Sequence, residues 1–239
     1  MQRRDARHDE CQAPEWSLTR VNPVIHRTVG AVAVAAMTAQ VLAAQTTNLS
    51  DADSRLEFSC AAFPAPVSES WLIARFGAAN VVTDSIVGAD DGPFPGTVVY
   101  QSWPEMRLDV AWQDQNTRTA AAWIRIQGGS RWVTSHRFGV GSDLLSVERA
   151  NGWPFRLQGF VGEGWSGGRV LSWGQGRFAS DDPEGSCSEL INFQHPYDGS
   201  VDATLLRQVG RIREVSSGHP AMQQINPRVV AVWLVYSQR

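Results

Sequence analysis

The stretch MRLDVAW at residues 106–112 puts Met106, Leu108, Val110 and Trp112 on one side of an extended chain, with Arg107 and Asp109 on the other. Side chains alternate with period two along a strand, so this pattern marks a strand with one buried and one solvated face. After the turn QDQN, the segment TAAAWIRIQ continues the alternation. A sheet built from such strands leaves an apolar side that a second layer must cover.

The covering layer is written between the strands. SESWLIARFG (68–77) has a helix start at Ser68, apolar spacing at Leu72, Ile73 and Phe76, and a stop at Gly77. GSDLLSVERANG repeats that grammar, with a start at Ser142 aided by Asp143 and a stop at Gly152. A third short helix is expected around DATLLRQVG. Strands are expected at NVVTDSIV, GTVVYQ, SRWVTSHRF, FRLQGFVG, RVLSWG and RVVAVWLVYS, with GADDGPFPG as a turn cluster. The predicted class is α+β: a twisted antiparallel sheet with short helices packed on one side over residues 68–239. Two tandem helix-plus-sheet halves, 68–135 and 136–239, are an alternative organisation, because helix, glycine stop, strand, glycine turn and strand recur in the same order. Residues 45–67 form an extended, proline-bearing lead-in.

Residues 28–44, TVGAVAVAAMTAQVLAA, are uncharged and rich in alanine. A membrane span wants about 20 strongly apolar residues, so this run reads as an export signal, with Val41–Ala43 or Leu42–Ala44 as the cleavage site. An uncleaved anchor is the alternative, and no stable span is expected in the mature chain. The preceding 23 residues are long for a signal's basic region and carry four acidic residues, which fits a translation start nearer Val21 or Val24. Beyond residue 44 the chain keeps two cysteines, Cys60 and Cys187. An even pair in an oxidising compartment reads as a disulfide, and two buried thiols are the alternative. A periplasmic or secreted location follows from these expectations. All 21 basic residues are arginine and are scattered along the chain. No basic stripe interleaved with aromatics exists, which excludes the electrostatic footprint of nucleic-acid binding.

GVGSDLLSVERANGWPFRLQGF resembles the helix-then-strand entry of exported repeats such as the BamE/SmpA assembly lipoproteins, with Gly141, Leu144, Val147, Gly152 and Pro154 at matching positions. It is similar also to the β-lactamase inhibitory proteins, which carry two such units in tandem. The resemblance spans at most residues 68–176, and the lipidated cysteine of the lipoproteins is missing here. What it implies is a periplasmic or secreted protein-binding module, inhibitor-like or envelope-assembly in kind, with an unknown protein partner. Carbohydrate binding or a structural envelope role is the alternative.

One string invites an enzymatic reading. GWSGG at 164–168 satisfies G-x-S-x-G, and Asp181, His195, Asp198 and His219 follow it. A nucleophile elbow requires strand, turn and then helix, whereas RVLSW continues as a strand, so Ser166 is read as part of a hairpin loop. Cys187 and His195 would make a thiol–imidazole pair only if Cys60 did not claim the thiol. The acid-rich loops DADS, GADDG and YDGSVD lack the ligand spacing of a calcium site, and His136, His195 and His219 are too scattered for zinc. No catalytic residue, metal or cofactor is therefore assigned. Binding is assigned instead to the turn aromatics and their neighbours: Trp153, Trp165, Ser166, Arg169 and Trp173. Large indoles flanking turns are candidates for an interface.

Overall fold

The computed structural model describes residues 56–88, 92–160, 167–181, 186–196, 199–210 and 212–237. The expected export signal, Trp165 and Ser166 lie outside the described residues. The fold is α+β, with a six-stranded antiparallel sheet, a three-stranded antiparallel sheet and four short helices among the described residues.

Helix α1 (Glu69–Phe76) starts where Ser68 accepts a hydrogen bond from the Trp71 amide, at 3.1 Å, and stops at Gly77. A meander of β1 (Val81–Val87), β2 (Pro93–Val99), β3 (Leu108–Trp112) and β4 (Ala121–Gln127) follows. β2 begins earlier than its sequence suggests, at Pro93 rather than Gly96. The prolines are tolerated because that part of β2 pairs with β1 alone; β3 joins it only from Thr97 to Val99.

Helix α2 (Leu144–Asn151) is capped by Asp143, one residue beyond the expected Ser142, whose hydroxyl instead accepts from the Gly139 amide. β5 (Arg156–Gln158) and β6 (Val170–Ser172) pair antiparallel. β7 (Cys187–Gln194), α3 (Ala203–Val209), β8 (Glu214–Ser216), α4 (Pro220–Ile225) and β9 (Arg228–Tyr236) complete the described elements. The large sheet runs β1-β2-β3-β4-β9-β7 and the small one β6-β5-β8. Strands from either side of residue 135 thus pair in one sheet, β4 against β9.

The buried apolar residues of all four helices join one apolar core against one face of the large sheet, with Val110, Ile124, Val232 and Leu234 beneath them. Phe58, Phe63 and Val67 of the lead-in are fully buried in that same core. Cys60 is disulfide-bonded to Cys187 across 127 residues, joining the lead-in to the first residue of β7.

Two expectations are corrected. β3 is buried at all five positions rather than on one face. Asp109 accepts from Arg125 Nη2 at 2.7 Å, Arg107 Nε at 2.8 Å and Gln127 Nε2 at 3.2 Å, so its charge is satisfied inside the protein. The Arg125 guanidinium lies 5.5 Å from the Trp123 ring and 6.0 Å from the Trp233 ring. Trp123 packs beside Ile86, Val98 and Ala111, on the face of the sheet opposite Trp112. Finally, SRWVTSHRF forms no strand. Val133 makes only isolated bridges, to Glu57 and Gly139, and the chain turns back at Arg137 with φ +64°.

Candidate functional site

The last turn of α2 is where the sequence becomes chemically particular: Glu148, Arg149, Asn151, Gly152, Trp153 and Pro154. Gly152 takes the left-handed conformation, φ +76°, and its amide closes the helix on the Glu148 carbonyl. Pro154 cannot extend a helix, so Trp153 is pushed outward on a tight corner. It is 50% exposed, unusual for so large an apolar side chain.

Asn151 fixes that corner. Its side chain is fully buried; Nδ2 donates to the Trp153 carbonyl at 2.7 Å and to the Trp173 carbonyl at 3.0 Å, while Oδ1 accepts from the Phe178 amide at 3.1 Å. One side chain thus ties the end of α2 to the segment after β6. Gly176 lies so close that a Cβ there would stand 2.1 Å from the Asn151 amide atoms. On the other side, the Trp153 indole lies beside Gly174, 3.2 Å from where a Cβ would stand.

Glu148 anchors the opposite wall. Its Oε2 accepts from the Ser217 hydroxyl, and its Oε1 accepts from Gln223 Nε2 at 3.2 Å. Ser217 in turn accepts from the Phe155 amide at 2.8 Å, and Gln223 also donates to the Ser217 carbonyl at 2.7 Å. The carboxylate therefore joins α2, the small sheet and α4. Between these groups lies an open cleft of about 420 Å³ lined by Leu145, Glu148, Arg149, Gly152, Trp153 and Pro154. Arg149 is exposed and pairs with no carboxylate among the described residues.

The expected site residues separate here. Trp153 lines the cleft. Trp173 does not stand out as a contact residue: it is half-buried, with ring centroids 5.0 Å from Phe155 and 5.1 Å from Phe178. Arg169 is exposed and bridges to Asn192 through its backbone. Gly168 belongs to the packing of the two sheets. Its φ is +76°, and a Cβ would stand 1.9 Å from the Phe193 carbonyl oxygen, which leaves room for glycine alone.

The element after residue 168 is the strand β6, where a nucleophile elbow needs a helix. The sulfur of Cys187 is in the disulfide, so it cannot serve as a thiolate beside His195. His136 stacks on Phe178 at 3.8 Å, His195 meets the edge of Phe160, and His219 caps α4. Among the described residues no three His, Cys, Asp or Glu side chains converge to hold a metal.

Searches of family models, of curated proteins and of solved structures find no match to this chain.

Proposed function

We propose that the chain is the exported, non-catalytic binding module that its sequence resembles, and that the Trp153 cleft is its contact surface. The observation that carries this reading is an indole left half exposed while its backbone is clamped by a fully buried asparagine. Holding a large apolar side chain at the surface is unfavourable for an isolated monomer. Holding it rigidly lowers the entropy lost when a partner covers it. Interfaces concentrate their energy in such aromatic anchors. The disulfide fits an oxidising compartment outside the cytoplasm, and no described helix is long and apolar enough to cross a membrane.

A photo-crosslinking residue at Leu145, on the cleft wall, tests this in the native host. One discrete adduct that disappears in a Trp153→Ala background is expected. Absence of any Trp153-dependent adduct would overturn the reading.

Carbohydrate binding is the second reading, favoured by the indole standing next to the polar groups of Glu148 and Arg149 in an open cleft. Trp153-dependent retention on a glycan array would support it. A serine hydrolase built on Ser166 is disfavoured by the strand that follows the motif, and failure of the native chain to react with a fluorophosphonate probe would remove it.

A further inference from the structure

We propose that the Asn151–Gly152 pair is a modification site guarded by the fold. Once the chain unfolds, the Gly152 nitrogen displaces ammonia from the Asn151 side chain, and the acid left behind cannot rebuild the clamp at the end of α2. This chemistry does not rest on the binding reading, although its effect falls on the corner that presents Trp153. Residues 151–152 are the chain's only Asn-Gly pair. Glycine has no side chain to shield its amide nitrogen or to restrict its backbone angles, so in an unfolded chain that nitrogen reaches the preceding Asn151 Cγ.

The step balances without a redox partner. The Gly152 nitrogen gives up its proton to water and attacks Asn151 Cγ. The new C–N bond closes a cyclic imide while the Cγ–Nδ2 bond breaks, and Nδ2 takes up a proton and leaves as ammonia. Water then adds to either ring carbonyl. Opening at Cγ gives aspartate, and opening at the main-chain carbonyl gives isoaspartate, whose backbone runs through the side chain.

The folded chain blocks each requirement. Asn151 is fully buried, which keeps water from Cγ. Its Nδ2, the leaving group, donates to the Trp153 carbonyl at 2.7 Å and to the Trp173 carbonyl at 3.0 Å, while Oδ1 accepts from the Phe178 amide at 3.1 Å. The nucleophile is engaged as well, since the Gly152 amide donates to the Glu148 carbonyl at 2.8 Å. The product does not fit the same place. A carboxylate oxygen where Nδ2 sits would stand 2.7 and 3.0 Å from two carbonyl oxygens, with acceptors facing acceptors and no donor between them. Isoaspartate adds an atom to the main chain where Gly152 turns the corner at φ +76°. An episode of unfolding is thereby recorded covalently.

The test holds the full chain in mildly alkaline buffer, with and without enough guanidinium chloride to unfold it, and follows the mass of its tryptic peptide 150–156 over time. In denaturant that peptide should convert to two acidic products, one of them a substrate for an isoaspartyl methyltransferase. In the folded chain conversion should be more than about a hundredfold slower, because it waits on the opening of three buried hydrogen bonds. Gly152→Ala, compared in denaturant where its fold does not matter, should convert several-fold more slowly. After removal of denaturant, the fraction that regains native stability should fall in step with the fraction converted, and Asn151→Asp should show the same loss without incubation. Equal conversion in the folded and unfolded chains, or none in denaturant, would overturn the guarded site. Converted chain that refolds as stably as the native chain would overturn the irreversible record.

Discussion

Trp153 and Trp173 are tied to the same Asn151 side chain, yet the two indoles meet different surroundings. Truncating Trp173 removes a ring packed on Phe138, Phe155 and Phe178 and leaves a cavity. Trp173→Ala is expected to lower stability by about 3 kcal/mol. Trp153→Ala removes a half-exposed ring, so urea unfolding should place it within about 1 kcal/mol of the native chain; a loss as large as that of Trp173→Ala would move the indole into the core and end the contact reading. Asn151→Ala strands a buried amide and two carbonyls, and about 2–3 kcal/mol of stability should go with them. Sequence could mark Trp153 because Gly152 and Pro154 bracket it. It could not separate the two tryptophans, since the rings that bury Trp173 come from segments around residues 138, 155 and 178. Asn151 left no local signal, because its three partners lie in different turns.

Among the elements, helices were the most legible, since their start and stop signals are local: Ser68 and Gly77 bound α1, and Gly152 ends α2. Cap identity was less so, because Ser142 and Asp143 are both good acceptors and only the Gly139 amide decides between them. β7 was missed: its apolar positions Leu190, Ile191 and Phe193 break strict alternation where the register shifts between Asn192 and Phe193. β3 was found but its second face is buried rather than solvated, for Asp109 is polar in sequence and is neutralised by Arg107 on one side and by Arg125, a partner on the next strand, on the other. Asp143 permits a test at this scale. Its partial burial would raise its pKa, but hydrogen bonds from the Ser146 amide and hydroxyl and from Asn226 outweigh that and hold it below the ordinary 3.8. A carboxylate stabilised in the folded state contributes stability above its unfolded pKa and loses it as pH falls through the folded value. Asp143→Ala should therefore lose about 1 kcal/mol at neutral pH, and the gap to the native chain should narrow once the pH drops below about 4. A gap that stays constant down to acid pH would show that the charge contributes nothing to the cap.

For the molecule as a whole, the lead-in and the large sheet are held together in two ways: by burial of Phe58, Phe63 and Val67, and by the Cys60–Cys187 bond. The Tyr236 hydroxyl adds a buried hydrogen bond to the Phe63 carbonyl at 2.9 Å, between the last strand and the lead-in. The apolar contacts persist when the disulfide is reduced, so the native fold itself should survive. What changes is the unfolded chain, which regains the freedom of a loop spanning 127 residues. In the chain-entropy account that freedom is worth about 4–5 kcal/mol, a large part of the stability of a domain this size. Urea unfolding with and without reductant, and of the Cys60→Ser/Cys187→Ser variant, should show the unfolding free energy falling by that amount, and the midpoint falling with it, with near-native circular dichroism in buffer. Equal midpoints would mean the unfolded chain stays compact around the lead-in without the bond. Unfolding in buffer would mean the apolar contacts of Phe58 and Phe63 cannot hold the lead-in alone. Because the bond ties the lead-in to β7 and leaves α2 untouched, the Trp153 cleft should keep its binding in the reduced chain as long as that chain stays folded.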